Sequence, residues 1–196
     1  GAWLHDDAGT DGLTAEWQAR AGDNRTVDEV QRAARDALLD GSLHADLQRL
    51  RVCVRQVLGA AARQADVTDA TLRRAVCALL RCYPVYRPYH LQTEVERDAL
   101  QRASVAAAEG LDEAARTALH LLVDALQAPD ADALRVRFGQ LSAPLNAKAV
   151  EDTAFYRYYR LLSRNEVGSD AQRIGLDGSE LLALAQARAR QHPLAM

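Results

Sequence analysis

Three cysteines, one methionine, two phenylalanines and five prolines are all that this 196-residue chain carries of those types. Cys53, Cys77 and Cys82 are odd in number, form no C-x-x-C pair and sit in helical patterns. That excludes a disulfide framework and a cysteine-based zinc site, and leaves them as small buried hydrophobes in a reducing compartment. The five histidines (His5, His44, His90, His120, His192) are scattered, so no metal site and no cofactor is expected. No apolar run exceeds a few residues, which rules out a transmembrane helix and leaves no signal-peptide core visible. The net charge of −3 comes from interspersed acids and bases, so neither nucleic acid nor a membrane surface is an expected partner. A cytoplasmic protein is the expectation.

Alternating apolar and polar residues are also missing, so strands are not expected. What fills the chain is amphipathic helix rich in Ala, Leu, Arg and Asp. Thr26 and Glu29 form a capping box ahead of Val27, Val30, Ala34, Ala37 and Leu38. Ser42 is placed to cap a long helix, Leu43–Ala65, with Leu43, Leu47, Leu50, Val54, Val57 and Ala61 inward. Thr68 is placed to cap another, and further helices are expected over 94–108, 112–126 and 130–141. Ala143-Pro144 is expected to end the last of these, and Ser179 to cap a final helix. The predicted fold is all-α, a bundle of roughly seven to nine helices. Residues 1–196 read as one subdomain: a lead-in over 1–25, the bundle over 26–141, a distinctive segment over 142–168, and a closing turn and helix over 169–196. The chain opens on Gly1-Ala2-Trp3-Leu4 without an initiator Met, and reads as a piece of something longer.

Residues 148–160 hold Lys148, Glu151, Asp152, Phe155, Tyr156, Arg157, Tyr158, Tyr159 and Arg160, a large share of the few aromatics in the chain. As a helix from Val150 to Ser163, Val150, Ala154, Phe155, Tyr158, Leu161 and Leu162 share a core face. Lys148, Asp152, Tyr156 and Tyr159 share another. Rings beside carboxylates and a cation suit a polyhydroxylated ligand; the pattern alone favours an i,i+4 Lys148–Asp152 pair with tyrosines covering a neighbouring helix. A second aromatic stretch, Cys82-Tyr83-Pro84-Val85-Tyr86-Arg87-Pro88-Tyr89, is irregular because of its prolines. It reads either as the lining of a groove or as a packed crossover.

The run from Pro144 through Ala147-Lys148-Ala149-Val150-Glu151-Asp152-Thr153-Ala154-Phe155-Tyr156-Arg157-Tyr158 to Asn165-Glu166-Val167-Gly168 resembles a signature of the maltooligosyl trehalose synthase family. That family belongs to the α-amylase clan of glycoside hydrolases. Tyr83-Pro84-Val85-Tyr86-Arg87 resembles a second block of it. The chain departs from the pattern at Asn146 (family Met), Ala149 (family Gly), Tyr159 (family Asn), Arg164 (often Leu) and Pro88 (family Thr).

The resemblance implies an insertion subdomain of a (β/α)₈-barrel enzyme. Such an enzyme turns the reducing-end α-1,4 linkage of a maltooligosaccharide into an α,α-1,1 linkage by intramolecular transglucosylation, an isomerase reaction of the trehalose pathway. Its three catalytic carboxylates lie on the barrel, so this chain is expected to hold no catalytic residue and to be inactive alone. Its expected partners are the maltooligosaccharide and the catalytic barrel of the same parent chain. Its expected substrate-binding residues are Lys148, Glu151, Asp152, Phe155, Arg157, Tyr158, Tyr86 and Arg87. Glu151 and Asp152 are adjacent on a helix, about 100° apart, and cannot flank one glycosidic bond. Arg157 is expected to pair with an acid. The alternative is a stand-alone helical interaction or scaffold domain related to that enzyme.

Overall fold

A computed structural model describes residues 2–86 and 93–191. Among them the regular structure is helical throughout, without a strand, as the periodicity predicts. The helices are α1 (Thr10–Ala21), α2 (Val27–Asp40), α3 (His44–Gln64), α4 (Asp69–Cys82), α5 (Glu94–Ala108), α6 (Glu113–Gln127), α7 (Asp132–Asn146) and α8 (Gly178–Gln191). Between α7 and α8 come a π-helical segment, Ala147–Ala154, a single α-turn, Phe155–Arg157, and a 3₁₀ turn, Leu162–Arg164. No described helix is long and apolar enough to cross a membrane.

The chain divides into two compact units, Arg32–Val150, and Gly1–Gln31 with Glu151–Met196. In the first, α4 packs against α5 and α6, while α3 packs against α6 and α7. The core gathers Leu47, Leu50, Leu72, Leu79, Leu119, Leu122 and Phe138, all almost fully buried. Tyr83 crosses Phe138 edge-on, with ring centroids 5.1 Å apart. Arg135 is buried at the end of α6 and donates to the carbonyls of Leu126, Ala128 and Pro129, groups that a helix C-terminus otherwise leaves unsatisfied.

Local chemistry sets most helix starts. Thr68, Thr93 and Asp112 each accept a hydrogen bond from a backbone N–H of the first turn, and Thr93 with Glu96 closes a capping box. Thr26 and Glu29 do the same for α2. Ser42 does not cap α3, whose N-cap position is Leu43. Asp177, not Ser179, caps α8: its Oδ1 accepts from the N–H of Ser179 and of Glu180. The inward face of α3 also moves beyond Val54, to Leu58 and Ala62, leaving Val57 48% exposed. Gly59 departs from helical geometry there, with a positive φ of 41° that a side chain would resist.

Pro144 does not end α7; it lies inside it. Proline has no N–H for the carbonyl four residues back, and its ring crowds that carbonyl. The Ala147 N–H at the end of α7 is shared between the carbonyls of Ala143 and Pro144, a local tightening, and the eight residues that follow α7, Ala147–Ala154, are π-helical.

In the second unit, the first residues and the stretch before α8 are tied together. The Leu176 N–H donates to the Ala2 carbonyl, and the Gly175 N–H to Asp7 Oδ1. A Cβ on Gly175 would fall 2.6 Å from the Asp7 nitrogen, so this approach needs glycine.

Candidate functional site

The signature runs through both units, and its two halves differ in character. Its first half is the π-helical segment. Such segments are uncommon and collect at functional sites, because widening the helix costs stability and re-aims side chains. Lys148 and Asp152 are exposed, and neither has a hydrogen bond or ion pair with any described residue. The i,i+4 pair that helical spacing allowed is therefore not formed. Glu151 is half-buried. Lys148 is also the only lysine in the chain, set against a large excess of arginine. Sequence reading passed over that contrast.

The second half is a structural clamp. The helix ends at Arg157 rather than running to Ser163, so Leu162, expected inward, is 80% exposed. Tyr158 is buried. Its ring lies 4.5 Å from that of Trp17, and the Arg160 guanidinium sits 5.0 Å from its centroid. Burial pushes the Tyr158 phenol up from its ordinary pKa; the Arg160 cation opposes this and Asp28 adds to it. Arg160 donates to Thr14 Oγ1 and to the carbonyls of Ala171 and Gln172. Asn165 Nδ2 donates to the carbonyls of Phe155 and Tyr158, satisfying the end of the helical turn. Trp17, Arg160 and Asn165 were all missed as site-forming residues. Trp17 and Arg160 meet partners distant in sequence, and Asn165 folds back on carbonyls seven and ten residues before it.

Of the residues singled out as substrate-binding, Phe155 and Tyr158 are buried, while Arg157 is exposed and makes no ion pair among the described residues. Their neighbours Tyr156 and Tyr159 present rings to the surface, at 78% and 49% exposure. Tyr86 is exposed on the other unit, and Arg87 lies outside the described residues. A pocket of about 300 Å³ opens beside the clamp, lined by Thr14, Arg25, Asp28, Tyr158, Arg160 and Gln172 among others. It offers hydrogen-bond donors and acceptors together, and an aromatic edge. No cluster of His, Cys, Asp or Glu among the described residues is arranged to hold a metal.

Three of the departures from the family pattern, Asn146, Ala149 and Tyr159, fall on described residues. Asn146 Nδ2 donates to the carbonyls of Tyr83 and Val85, while its Oδ1 accepts from Arg35 Nε and Nη2. It thereby holds the irregular segment after α4 against α2 and α7. Ala149 is fully buried, and Tyr159 is at the surface, where a ring displaces nothing.

Over 156 residues, 79% of its length, the chain is 36% identical to Mycobacterium tuberculosis proteins that bear the name maltooligosyl trehalose synthase. Its fold superposes on that of the maltooligosyltrehalose synthase from Arthrobacter ramosus with a TM-score of 0.80, at 30% identity over 98% of this chain. Its relatives are maltooligosyl trehalose synthases. A point variant of the Arthrobacter enzyme matches equally well, with a TM-score of 0.80 and 31% identity. A glycosyltrehalose synthase from strain DSM5389 shares the fold, with a TM-score of 0.62 at 21% identity. No family model matches the chain. The chain spans 19% of the length of its Mycobacterium relatives and 23% of the Arthrobacter synthase. The similarity thus falls on one part of those synthases and covers most of this chain.

Proposed function

We propose that the chain is the helical substrate-binding subdomain of a cytoplasmic maltooligosyl trehalose synthase, working with a catalytic barrel supplied by the same parent polypeptide. The similarity carries this reading: it covers almost the whole of this chain yet only about a fifth of its relatives. The reaction assigned to the parent is intramolecular transglucosylation of the reducing-end α-1,4 linkage to an α,α-1,1 linkage. Such chemistry needs positioned carboxyls flanking one glycosidic bond. Glu151 and Asp152 are sequence neighbours on one helix and do not meet that need, so the catalytic carboxyls are assigned to the barrel.

Lys148 and Asp152 are the residues assigned to hydroxyl recognition, since both are exposed and neither is engaged elsewhere. Glu151 and Arg157, on the same segment, are assigned to substrate binding with them; Tyr86 and Arg87, of the second aromatic block, are assigned to it on the family resemblance alone. Phe155 and Tyr158 are assigned a supporting role, holding the segment's end in place from within the fold.

The test is expression of the whole reading frame around this chain and assay of its product on maltopentaose. A trehalose-ended product from the long protein, and none from residues 1–196 alone, is expected. A reading frame without a barrel, or conversion by the isolated chain, would refute the proposal.

A further inference from the structure

Helix α8 has no described side chain in a core. From Gly178 to Arg190 every residue is exposed or half-buried, with Leu181 at 37%, Leu182 at 59% and Leu184 at 55% exposure. At 100° per residue, Leu184, Leu181, Ala185, Ala189 and Leu182 fall within an arc of roughly 160°. The patch continues beyond the helix. A Cβ on Gly178, at the same arc, would lie 3.1 Å from two atoms of the Trp3 ring, so that ring packs directly on the start of α8; it is itself 53% exposed.

What holds α8 lies wholly in its first turn: the Asp177 cap and the Arg173–Glu180 ion pair, whose side chains are both more than a third exposed. A helix of this length is marginal in water without a packed face, because the cost of nucleation is recovered only by burial. An apolar arc ending in a half-exposed indole is therefore a surface that something covers.

We infer that the Trp3–Leu181–Leu182–Leu184 face seats a further domain of a longer parent polypeptide. The relatives supply the reason for choosing this occupant. The similarity to the Arthrobacter synthase covers 98% of this chain but 23% of that one, so most of such a protein lies beyond these residues. Arg188 falls inside the arc one turn beyond Leu184, so the seat is an apolar groove with a carboxylate near its far end. The inference relies on the proposed function only for the existence of a longer parent.

Hydrogen–deuterium exchange tests it, comparing the isolated chain with the full product of its reading frame, both without substrate. Amides of residues 178–191 are expected to exchange fast in the isolated chain and at least roughly 100-fold more slowly in the full product. Leu182→Asp in the full product is expected to remove that protection while leaving the amides of α4 and α6 protected. Fast exchange in both proteins, or protection in the isolated monomer, overturns the inference. Protection of the isolated chain that grows with concentration, alongside a dimer mass, overturns it in favour of a second copy as occupant. The readout is independent of turnover, so a failure here leaves the Lys148 assignment standing, and a failure of that assignment leaves this one standing.

Discussion

The indole of Trp17 lies 4.5 Å from the ring of Tyr158, centroid to centroid, and donates its N–H to the carbonyl oxygen of Arg157, 140 positions away in the chain. This one residue of α1 thus meets both the last helical carbonyl of the signature's end and the ring that follows it. Arg160 then crosses the Tyr158 ring and binds two carbonyls of the 171–172 turn. The signature's invitation to read Tyr158 as a sugar platform meets a ring already enclosed by protein.

Trp17→Ala is accordingly expected to cost roughly 3–5 kcal/mol, the usual price of deleting a buried large ring. Trp17→Phe retains most of the packing and forfeits the hydrogen bond, so about 1–2 kcal/mol is expected. Urea denaturation checks both. A near-neutral Trp17→Ala would show that the clamp contributes little to folding.

Asn146 offers a sharper contrast, since the family pattern carries Met there. Restoring Met removes the donor to the Tyr83 and Val85 carbonyls and an acceptor of Arg35 in a buried setting. Destabilisation of about 2–4 kcal/mol is expected, because buried polar groups left unsatisfied cost more than their hydrogen bonds gain. Thermal unfolding of Asn146→Met is the measurement. Equal or higher stability would mean that the family's residue serves this backbone as well.

Asp23 gives a pH signature. The Arg25 guanidinium, hydrogen-bonded to its carboxylate, lowers its pKa from 3.8 to about 2, with the Arg25 backbone N–H adding to the effect. A depressed folded-state value favours the folded chain above the unfolded value, and the contribution fades as pH falls through about 2. Carboxyl NMR titration should find the Asp23 midpoint well below those of unpaired aspartates. Arg25→Gln should return it towards 3.8. A midpoint unmoved by that substitution would show that the pair does not persist in solution.

Helix positions were legible because threonines and aspartates announce their starts and because three- and four-residue spacing marks the buried faces of α4 and α6. Two features were not. Pro144 read as a stop, since its local cost is plain, yet α7 runs on through it to Asn146 and the π-helical segment follows directly. The face of α3 continued after Val54 at four-residue steps, to Leu58 and Ala62, where a three-residue step to Val57 and then a four-residue step to Ala61 fits the pattern as well. In the candidate site, helical periodicity grouped Lys148, Asp152, Tyr156 and Tyr159; all four are exposed, but the segment is π-helical to Ala154 and its helix ends at Arg157, so the grouping on one α-helical face does not hold. The clamp was not readable, because Trp17, Arg160 and Asn165 acquire their roles only through partners folded against them.

The assignment of the signature stands or falls on Lys148. The decisive measurement is turnover of maltopentaose by the full-length parent carrying Lys148→Ala or Lys148→Arg, with the unfolding temperature of each variant alongside. Both substitutions are expected to lower turnover at least about tenfold, some 1.4 kcal/mol of lost stabilisation, with little change in unfolding temperature. Arg should fail with Ala, because a planar fork does not replace a compact ammonium. Undiminished turnover in Lys148→Ala would contradict the assignment and leave the segment as packing alone.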